Sequence, residues 1–434
     1  MRARPPRQRE RRAPAPVPPA AQAREVEIVA VGSGGDGAVD GGGFVPFALA
    51  GERVLASFSG ARGELRQVLT RSPERVEPVS PHFHRCGGCS LQHWAHEPYL
   101  AWKVEQVRLA LARERIETEL LPPWGAAPGS RRRLALHARR GPRPDEARLG
   151  FKARRSWDLV EIEVCPISDP RLVAALPALR RLAAPFLEHP KSAPTLHVTW
   201  TATGLDVDVT GVERKSGGLS ADARVRAADA AVAGDFARVT MSGETVYGAR
   251  APVVRFGAAS VALPPGAFLQ AVAEAEAAMA ADAVDAVSGA RRVADLFCGL
   301  GAFTFRLAET TAVHGVDSSG EAIRALQAAV GAASGLKTVT AETRDLDRRP
   351  VLASELKRFD AAVFDPPRAG AVAQVAELAR AEGLRTVVGV SCNPATFARD
   401  ARTLIDGGFT LSRVRTVDQF LWSPHIELVG VFQR

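Results

Sequence analysis

The sequence predicts an α/β protein whose C-terminal part is a doubly wound parallel sheet. From about residue 262 onwards, β-branched runs alternate with alanine-rich stretches of helical length, as in strands joined by helices. The part before it has a different pattern, in which short β-branched runs lie between glycines and are followed by an alternation of apolar and polar residues typical of hairpins. The sequence therefore predicts three folded domains, and 434 residues suffice for each to bury a core.

The composition indicates a globular, basic protein. Apolar residues make up 46% of the chain and charged residues 24%, and the formal net charge is +8. No apolar run is long enough to span a membrane, and the arginine-rich start lacks the apolar centre of a secretory signal, so we expect a cytoplasmic monomer without membrane contact. The charge favours an anionic partner, nucleic acid first, although a basic enzyme without such a partner carries the same charge.

The first two segments differ in composition. Residues 1–23 are rich in arginine, proline and alanine without apolar periodicity, which is typical of a disordered basic arm. Residues 24–78 hold short β-branched runs between glycines and are predicted to form a small OB-like barrel. The predicted barrel strands are residues 26–31, 43–47, 53–59 and 64–69.

Residues 79–258 are predicted to form an α+β middle domain. Near its start Cys86 and Cys89 form a C-x-x-C, and Cys165 follows far downstream. Five cysteines in the chain do not make a disulfide framework, so free thiols, a metal site or catalysis are the alternatives. A basic run in this segment predicts either contacts to RNA phosphates or a solvated strand face. Its members are Arg131, Arg132, Arg133, Arg139 and Arg140.

Residues 259–434 carry the predicted parallel sheet. Its strands are predicted at residues 291–297, 312–316, 337–341, 360–364 and 386–390. The last two strand-like runs, 409–420 and 425–433, lie too close for an intervening helix and predict a terminal antiparallel pair. A parallel sheet with such a terminal pair is the outline of the class I, Rossmann-like methyltransferase fold.

A glycine turn follows the first strand of this sheet. Gly299 and Gly301 allow a ligand to approach the backbone closely, and the next strand ends in Asp317, whose carboxylate can accept both hydroxyls of a ribose. A dinucleotide site prefers a third glycine where Thr304 stands, so the pattern, with Asp295 before the turn, favours S-adenosylmethionine over NAD. The alternative is a purely structural turn.

Two more strand ends carry candidate chemistry. Asp365, in "FDPPRAG", is predicted at the carboxyl edge of the sheet, where such folds bind ligands. Arg368 stands where amino-group methyltransferases have an aromatic residue, which argues against amino methylation. Cys392 follows the fifth strand, and the helix start after it predicts a lowered thiol pKa and hence a nucleophile. The alternative is a packed cysteine.

A thiolate suits methylation of carbon 5 of a pyrimidine, because this carbon is a poor nucleophile until a thiolate adds to carbon 6. A base must then remove the carbon 5 proton. Glu427, at the start of the last strand, is positioned to return to the same edge. The residues alone favour an ordinary surface glutamate for it.

The motifs "DLFCGLGAF", "FDPPRAG", "SCNPATFARD" and "SPHIELV", in this order and spacing, resemble those of bacterial RNA uracil-5-methyltransferases. The barrel resembles the TRAM domain of many members, and "HRCGGCSLQHW" and "RSWDLVEIEVCPI" resemble their middle region, so the resemblance covers about residues 24–434. It implies an S-adenosylmethionine-dependent enzyme with Cys392 as nucleophile and Glu427 as base. The implied cofactor contacts, with the two turn glycines, are Gln270, Phe297, Gly299, Gly301, Asp317, Asp345 and Asp365.

The resemblance also raises the question of a [4Fe–4S] cluster. Members with this middle region often hold one on four cysteines, and Cys86, Cys89 and Cys165 match three of the positions. Ser80 stands at the fourth, and a hydroxyl is a poorer iron ligand than a thiolate. Two interpretations stay open, a cluster completed by Ser80 or a nearby histidine and a degenerate site with three free thiols. The surviving cysteine contexts favour the cluster.

The sequence therefore favours methylation of carbon 5 of a uridine in RNA. The expected substrate is 23S rRNA, because the barrel and cysteine region resemble those of the 23S rRNA enzymes. The nearest alternative is the tRNA T-loop enzyme, which often lacks the barrel. An RNA cytosine-5-methyltransferase is disfavoured, because Cys298 fits the position of its second cysteine poorly. A non-catalytic RNA-binding protein with an iron–sulfur site is the alternative of another class, and Cys392 with Glu427 counts against it.

Overall fold

The structure, a computed structural model, describes residues 23–143, 145–213 and 218–434. Its internal contacts divide the chain into two compact units, Met1–Arg75 and Val76–Arg434. The predicted arm over residues 1–23 lies outside the described residues, except for Ala23, which begins the first strand. Among the described residues, none of the helices has both the length and the apolar character that a membrane crossing requires.

The first unit is a closed barrel with the strand order β1-β2-β3-β5-β4. The strands are β1 (Ala23–Val31), β2 (Gly37–Val39), β3 (Phe44–Val45), β4 (Arg53–Ser59) and β5 (Arg62–Thr70). Ile28, Val45 and Val54 are fully buried in its interior, as the period-two alternation of a small barrel requires. The predicted barrel is confirmed. The sequence pattern missed β2, whose three residues are too few to show an alternation.

A seven-stranded sheet in the second unit has the order β13-β12-β11-β10-β7-β8-β9. Its strands are β7 (Arg133–Arg140), β8 (Ala147–Lys152), β9 (Leu159–Glu161), β10 (Thr195–Thr201), β11 (Gly204–Thr210), β12 (Arg238–Met241) and β13 (Glu244–Gly248). Three helices pack on this sheet, namely α2 (Pro170–Ala174), α3 (Leu176–Ala183) and α4 (Ala221–Ala233). The predicted hairpin is β10 with β11, where Val198 faces Val207 in register. This sheet gives the middle segment its own apolar core.

The eight-stranded sheet that carries the candidate site has the order β18-β17-β16-β19-β20-β22-β21-β6. Its strands are β6 (Glu119–Gly125), β16 (Arg292–Leu296), β17 (Ala312–Asp317), β18 (Val339–Thr343), β19 (Ala361–Phe364), β20 (Thr386–Ser391), β21 (Thr410–Asp418) and β22 (Glu427–Gln433). A separate pair joins β14 (Val253–Phe256) to β15 (Ala259–Ala262). The helices of this part are α1 (His96–Arg113), α5 (Ala273–Ala286), α6 (Thr304–Leu307), α7 (Gly320–Ala332), α8 (Ala353–Leu356), α9 (Val372–Arg380) and α10 (Pro394–Asp406).

The central strands of this sheet are buried on both faces. All four residues of β19 and five of the six in β20 are buried, because helices cover the sheet on either side. The two last strands, β21 and β22, pair antiparallel, and β22 also pairs antiparallel with β20. The class I methyltransferase outline is therefore confirmed, with its terminal antiparallel pair.

One edge strand of this sheet comes from far upstream. Strand β6 pairs parallel with β21, and α1 packs Val107 and Leu111 into the same core as Phe397 and Leu296. The chain before residue 258 therefore supplies a strand and a helix to the sheet of the C-terminal segment. The predicted domain boundary separates β6 and α1 from the sheet to which they belong. Strand β6 pairs with a strand that is distant in the chain, and local sequence patterns do not reveal such pairings.

Candidate active site

Four strands bring the candidate chemistry to one edge of the eight-stranded sheet. Strands β16, β19 and β20 run parallel, so the residues after their carboxyl ends, including Asp365 and Cys392, meet at this edge. Strand β22 runs antiparallel to β20, with Ser391 opposite Leu428. Cys392 follows Ser391 and Glu427 precedes Leu428, so both adjoin the last pair of this register, and the charge of Glu427 acts on the thiol of Cys392. The structure thus brings together the two residues that the sequence assigns to catalysis.

A chain of side-chain hydrogen bonds crosses the floor of the site. Gln270 Nε2 donates to Asp365 Oδ2 at 3.0 Å. Gln419 Nε2 donates to Gln270 Oε1 at 2.7 Å and to Glu427 Oε2 at 2.8 Å, and Gln419 Oε1 accepts from the N–H of Ala271 at 2.9 Å. The glutamines hold the two carboxylates of the site apart, while linking them through polar contacts.

Gln419 is a functional residue that the sequence analysis missed. It is 2% exposed and follows directly after β21, whose carboxyl end lies at the same edge as those of β19 and β20. A polar residue directly after a strand that ends at the ligand edge was the available signal. The sequence pattern identifies β21 only as a member of the terminal antiparallel pair, and it does not show that the carboxyl end of β21 reaches the ligand edge.

Burial raises the pKa of both carboxyl groups. Desolvation is the largest cause for Glu427, followed by repulsion from Asp365, while the hydrogen bond from Gln419 acts in the opposite direction. Burial likewise raises the pKa of Asp365, against the hydrogen bond from Gln270. Glu427 is 3% exposed, so the interpretation as a surface glutamate is wrong. A buried carboxylate of raised pKa is a stronger base than one in water.

The thiol of Cys392 does not have the predicted lowered pKa. Burial raises its pKa, and the nearby carboxylates of Glu427 and Asp365 raise it further, while the charge of Arg368 lowers it. Helix α10 does begin after the cysteine, but its start is already capped by the side chain of Asn393. The negative carboxylates and the loss of water therefore outweigh the helix end.

The glycine turn after β16 is a ligand cradle by its backbone geometry. Phe297, Gly299 and Gly301 all have positive φ angles, of 61°, 52° and 92°. At Gly301 an added Cβ would lie 2.8 Å from the ring of Phe305, so only glycine fits. Asp317 Oδ2 accepts from the N–H of Gly299 at 2.9 Å, which ties the turn to the end of β17. The turn and the acidic strand end thus form one unit.

The remaining predicted cofactor residue lies one strand further out. Asp345 follows the end of β18 and accepts from the N–H groups of Asp347 and Arg348. The candidate cofactor residues therefore line the carboxyl ends of four adjacent strands, β18, β17, β16 and β19, with Gln270 facing the last of them. Carboxylates, an amide and an open glycine turn provide acceptors for the amino and hydroxyl groups of S-adenosylmethionine. These side chains and the glycine turn therefore fit this cofactor.

Asp295 and Cys298 lie beneath the turn. Asp295 is fully buried, accepts from the hydroxyl of Thr304, and burial raises its pKa to about 7. Cys298 is 5% exposed, and burial raises its pKa well above the usual value. Cys298 is almost fully buried beneath the turn, whereas Cys392 is partly exposed, so Cys298 packs as an apolar side chain.

The three other cysteines line one small cavity in the middle segment. Cys86, Cys89 and Cys165 surround a space of about 20 Å³ together with Ser80 and His82. Burial raises the pKa of Cys86, and it raises that of Cys89 to about 12. The structure thus brings the predicted ligands together.

This cavity does not fit the predicted four-iron cluster. Ser80 provides no thiolate, its hydroxyl oxygen accepts from the N–H of His82, and His82 Nε2 accepts from the N–H of Glu163. Within the described ranges, no group of three or more His, Cys, Asp or Glu side chains is arranged to hold a metal ion. The expectation of a [4Fe–4S] cluster is therefore not supported, since such clusters normally use four thiolates.

The basic run at the start of β7 is not a solvated strand face. Arg132 donates to Glu276 at 2.7 Å and to the carbonyl of Gln270 at 3.0 Å. Arg133 donates to the carbonyl of Leu269 at 2.6 Å. These two arginines hold the backbone that delivers Gln270 to the site. Their contact to RNA phosphates stays a prediction.

Comparisons with known proteins agree with this geometry. The family model described as tRNA (Uracil-5-)-methyltransferase matches residues 260–434. A protein of Caulobacter vibrioides named as an uncharacterized RNA methyltransferase is 64% identical over 409 residues, which are 93% of this chain and 98% of the relative. A 23S rRNA (uracil(1939)-C(5))-methyltransferase of Alkalilimnicola ehrlichii is 36% identical over 90% of this chain and 91% of its own length.

A solved structure supports the fold. The tRNA (uracil-54, C5)-methyltransferase of Pyrococcus abyssi, solved with S-adenosyl-L-homocysteine, superposes with a TM-score of 0.71 at 24% identity, covering 94% of this chain and 99% of that one. The relatives share nearly their whole length with this chain, and the strand ends carry the expected residues. The chain therefore belongs to the family of S-adenosylmethionine-dependent RNA uracil-5-methyltransferases.

Proposed function

We propose that this enzyme methylates carbon 5 of a uridine in 23S rRNA through a covalent bond to Cys392, with Glu427 as the base. The observation that carries the proposal is that Cys392 and Glu427 each adjoin the last pair of the β20–β22 register at the ligand edge, close enough for the charge of Glu427 to act on the thiol. The relative named for 23S rRNA is 36% identical over 90% of this chain, against 24% identity for the solved tRNA (uracil-54, C5)-methyltransferase, which supports ribosomal RNA over tRNA. The family model named for tRNA matches only the C-terminal part.

The proposed reaction begins with the thiolate of Cys392. Its sulfur forms a bond to carbon 6 of the uracil, and the electron pair of the 5,6 double bond moves into an enolate. S-adenosylmethionine, when bound, would supply the electrophilic methyl group to carbon 5, and the electron pair of the broken bond between its sulfonium sulfur and the methyl carbon would stay on that sulfur. Glu427 removes the proton from carbon 5, the double bond re-forms, and the bond between sulfur and carbon 6 breaks. The thiolate is thereby regenerated.

The surroundings of Glu427 suit this role. The carboxyl group is almost entirely buried, and the amide of Gln419 donates to one of its oxygens at 2.8 Å. The hydrogen bond fixes the orientation of the carboxylate, while burial and Asp365 raise its pKa. A fixed base of raised pKa takes a proton from carbon more readily than a solvated glutamate does.

The proposed cofactor site uses the strand ends described above. Asp317, at the end of β17, is placed to accept the ribose hydroxyls, and the positive-φ turn at Gly299 and Gly301 allows close approach of the ligand. The residues proposed to hold S-adenosylmethionine are Gln270, Phe297, Gly299, Gly301, Asp317, Asp345 and Asp365. The hydrogen bond between Gln270 and Asp365 aligns two of them.

The target uridine must leave its stack to reach Cys392. A base within a helix presents neither carbon 6 to a thiolate nor carbon 5 to a methyl donor. We therefore propose that the enzyme acts on a single-stranded loop or on an extruded base, at a cost of a few kcal/mol for unstacking.

The proposal is tested by trapping the covalent intermediate. Cys392→Ala should bind RNA and cofactor without forming product. In Glu427→Gln, Cys392 should still add to carbon 6 and carbon 5 should still be methylated, but the carbon 5 proton should not be removed. A protein–RNA complex that carries the label of methyl-labelled cofactor should therefore survive a denaturing gel. Cys165→Ser, which removes a thiol outside the site, should behave like the wild type. A labelled complex in the Cys392→Ala, Glu427→Gln double variant would assign the nucleophile to another residue.

The substrate is tested separately. Mass mapping of 5-methyluridine in 23S rRNA and tRNA from a deletion strain should show a loss in 23S rRNA, restored by the wild-type gene and not by Cys392→Ala. A loss confined to tRNA would replace ribosomal RNA as the substrate and leave the catalytic assignments intact.

A further inference from the structure

The hairpin of β8 and β9 presents an exposed tryptophan at its tip. Trp157 is 77% exposed, the highest exposure of any large apolar side chain in the described part of the chain. The ammonium group of Lys152 lies 3.7 Å from the centre of its ring. Tryptophan is usually well buried, so an aromatic ring held in solvent contributes little to a core. Tryptophan is also enriched at binding interfaces, where its ring offers a large contact area.

Positive charge surrounds this ring. Arg154 and Arg155 belong to the same turn, and Arg85 is exposed on the loop that carries the cysteines. The loop is attached to the hairpin by a β-bridge between Cys86 and Ala153. We call Arg85, Lys152, Arg154, Arg155 and Trp157 the hairpin-tip surface. The turn also contains an acid, Asp158, which accepts from the hydroxyl of Ser156 at 2.7 Å.

The tip is held in a defined conformation. The N–H of Ala153 donates to the carbonyl of Asp158 at 2.8 Å, and the N–H of Ser156 donates to the carbonyl of Ala153 at 3.1 Å. Gly87 donates to the carbonyl of Lys152, and an added Cβ at Gly87 would lie 2.8 Å from that oxygen, so the two loops touch closely. A surface that is ordered before binding loses less entropy when a ligand arrives.

The cysteine loop connects this surface to the active site. After Cys89 the chain continues to Leu91, whose N–H donates to the carbonyl of Trp422 at 3.0 Å. Trp422 belongs to the segment 419–426, which leads directly into Glu427. A ligand bound at the hairpin tip is therefore bound by the same folded unit that positions Glu427, the proposed catalytic base.

We propose that the hairpin-tip surface binds a single-stranded segment of the RNA substrate, with an unpaired base stacked on Trp157 and adjacent phosphates on Arg85, Arg154 and Arg155. The inference rests on the proposed function and names a contact that this function requires. Only an unpaired base offers a free aromatic face, whereas a duplex keeps its bases stacked on one another. Arginine binds the flanking phosphates by paired hydrogen bonds.

The test measures equilibrium binding of a short oligouridylate in the Cys392→Ala background, where no covalent complex forms. Trp157→Ala should weaken binding about tenfold, as expected for the loss of one base–aromatic stack, and Trp157→Phe should keep most of the affinity. The salt dependence of binding should not change in Trp157→Ala. In the Arg154→Ala, Arg155→Ala double variant its slope should fall by about 1.4, the value for two phosphate contacts to a single strand.

Two controls define the outcome. Val232→Ala removes another exposed apolar side chain, on α4, and should bind like the parent. A blunt-ended RNA duplex without unpaired bases should bind Trp157→Ala and its parent equally. Unchanged oligouridylate binding by Trp157→Ala would overturn the inference. Failure of the proposed function would be observed differently. A wild-type enzyme that binds this RNA but makes no 5-methyluridine in any RNA would contradict the proposed reaction without affecting the binding result.

Discussion

Gln419 Nε2 donates to Glu427 Oε2 at 2.8 Å, in a place where both side chains are almost fully buried. The same nitrogen donates to Gln270, which in turn contacts Asp365. One amide therefore governs the ionisation of the proposed base and also the position of a proposed cofactor residue.

Replacing Gln419 should shift the pH dependence of product release. In Gln419→Leu the donor that lowers the pKa of Glu427 is lost, so a larger fraction of this carboxyl stays protonated, and the rate of proton removal from carbon 5 should rise with pH over a more alkaline range. The pH profile of the rate at which free methylated RNA is released from the covalent complex in a single turnover measures this shift. Gln374→Leu is a matched control, because Gln374, on helix α9, is equally buried and makes two hydrogen bonds with the backbone of Val351 in the segment before α8. It should lose stability without moving the profile.

Replacing the proposed base should stabilise the protein in alkaline solution. The pKa of Glu427 is raised to about 8 in the folded state, against about 4.3 in the unfolded chain. Both states are protonated below that lower value. As the pH rises, the unfolded chain ionises first, so the wild type loses stability up to about pH 8 and Glu427→Gln does not. Thermal melting should show equal stability of the two proteins near pH 4 and a higher midpoint for Glu427→Gln above pH 8.

Replacement of Glu355 by glutamine serves as the control, because it should change the melting midpoint in the opposite direction. Hydrogen bonds from Arg344 lower its pKa to about 2, so this carboxylate stabilises the fold above its unfolded pKa. Glu355→Gln should therefore lower the melting midpoint at neutral pH. A Glu427→Gln variant that melts below the wild type at every pH would show that burial does not raise the pKa of Glu427.

Removing Arg368 should make Cys392 less reactive. The charge of Arg368 lowers the thiol pKa against burial and the carboxylates, which raise it, so Arg368→Met should raise that pKa further. Alkylation of Cys392 by iodoacetamide, followed by mass spectrometry as a function of pH, should show a midpoint displaced to higher pH. Arg348→Met, which removes an exposed arginine beside Asp345, should leave the midpoint in place.

A buried lysine should be needed for the loop before Glu427. Lys103 is fully buried and donates to Asp418 at 2.6 Å and to the carbonyl of His425 at 2.5 Å, and burial lowers its pKa to about 8. Lys103→Met leaves the charge of Asp418 buried without its partner, which should cost about 3–5 kcal/mol of unfolding free energy. Urea denaturation measures this loss. Adding Asp418→Asn should recover part of it, and no recovery would show that the pair is not coupled.

The cysteine cavity gives a prediction about iron. Since Ser80 offers no thiolate, we expect wild-type protein, purified without oxygen from iron-replete cells, to lack stoichiometric iron and acid-labile sulfide. Ser80→Cys supplies a fourth thiol at the same cavity and should gain both, with a brown colour. Brown wild-type protein that becomes colourless in Cys86→Ala would show that three cysteines suffice for a cluster.

The parts of the site that the sequence predicted are those that follow strands of strong local pattern. Asp317, Asp365 and Cys392 come directly after buried β-branched runs, so their place at the sheet edge followed from the topology. Glu427 needed the resemblance to a family, because its burial depends on the antiparallel pairing of β20 with β22. No local pattern distinguishes such a glutamate from a surface residue.

The ionisation of the site was harder to predict than its position. The helix start after Cys392 was visible in the sequence, whereas the carboxylates of Glu427 and Asp365 approach the thiol only in the folded chain. The arginines at 131–133 were visible as charge, but their partners, Glu276 and the carbonyls of residues 269 and 270, lie far along the chain. Electrostatic effects depend on distances in space, which spacing in sequence does not provide.

The parallel pairing of β6 with β21 has a consequence for anyone who divides this protein for expression. A fragment that starts at residue 260, where the family match begins, would leave the outer edge of β21 without its hydrogen-bonding neighbour and uncover the apolar surface beneath α1. Such an edge recruits other chains. Residues 260–434 alone therefore do not form a self-sufficient catalytic fragment. Any chimaera that exchanges the RNA-recognition part of this enzyme must keep residues 96–125 together with residues 260–434.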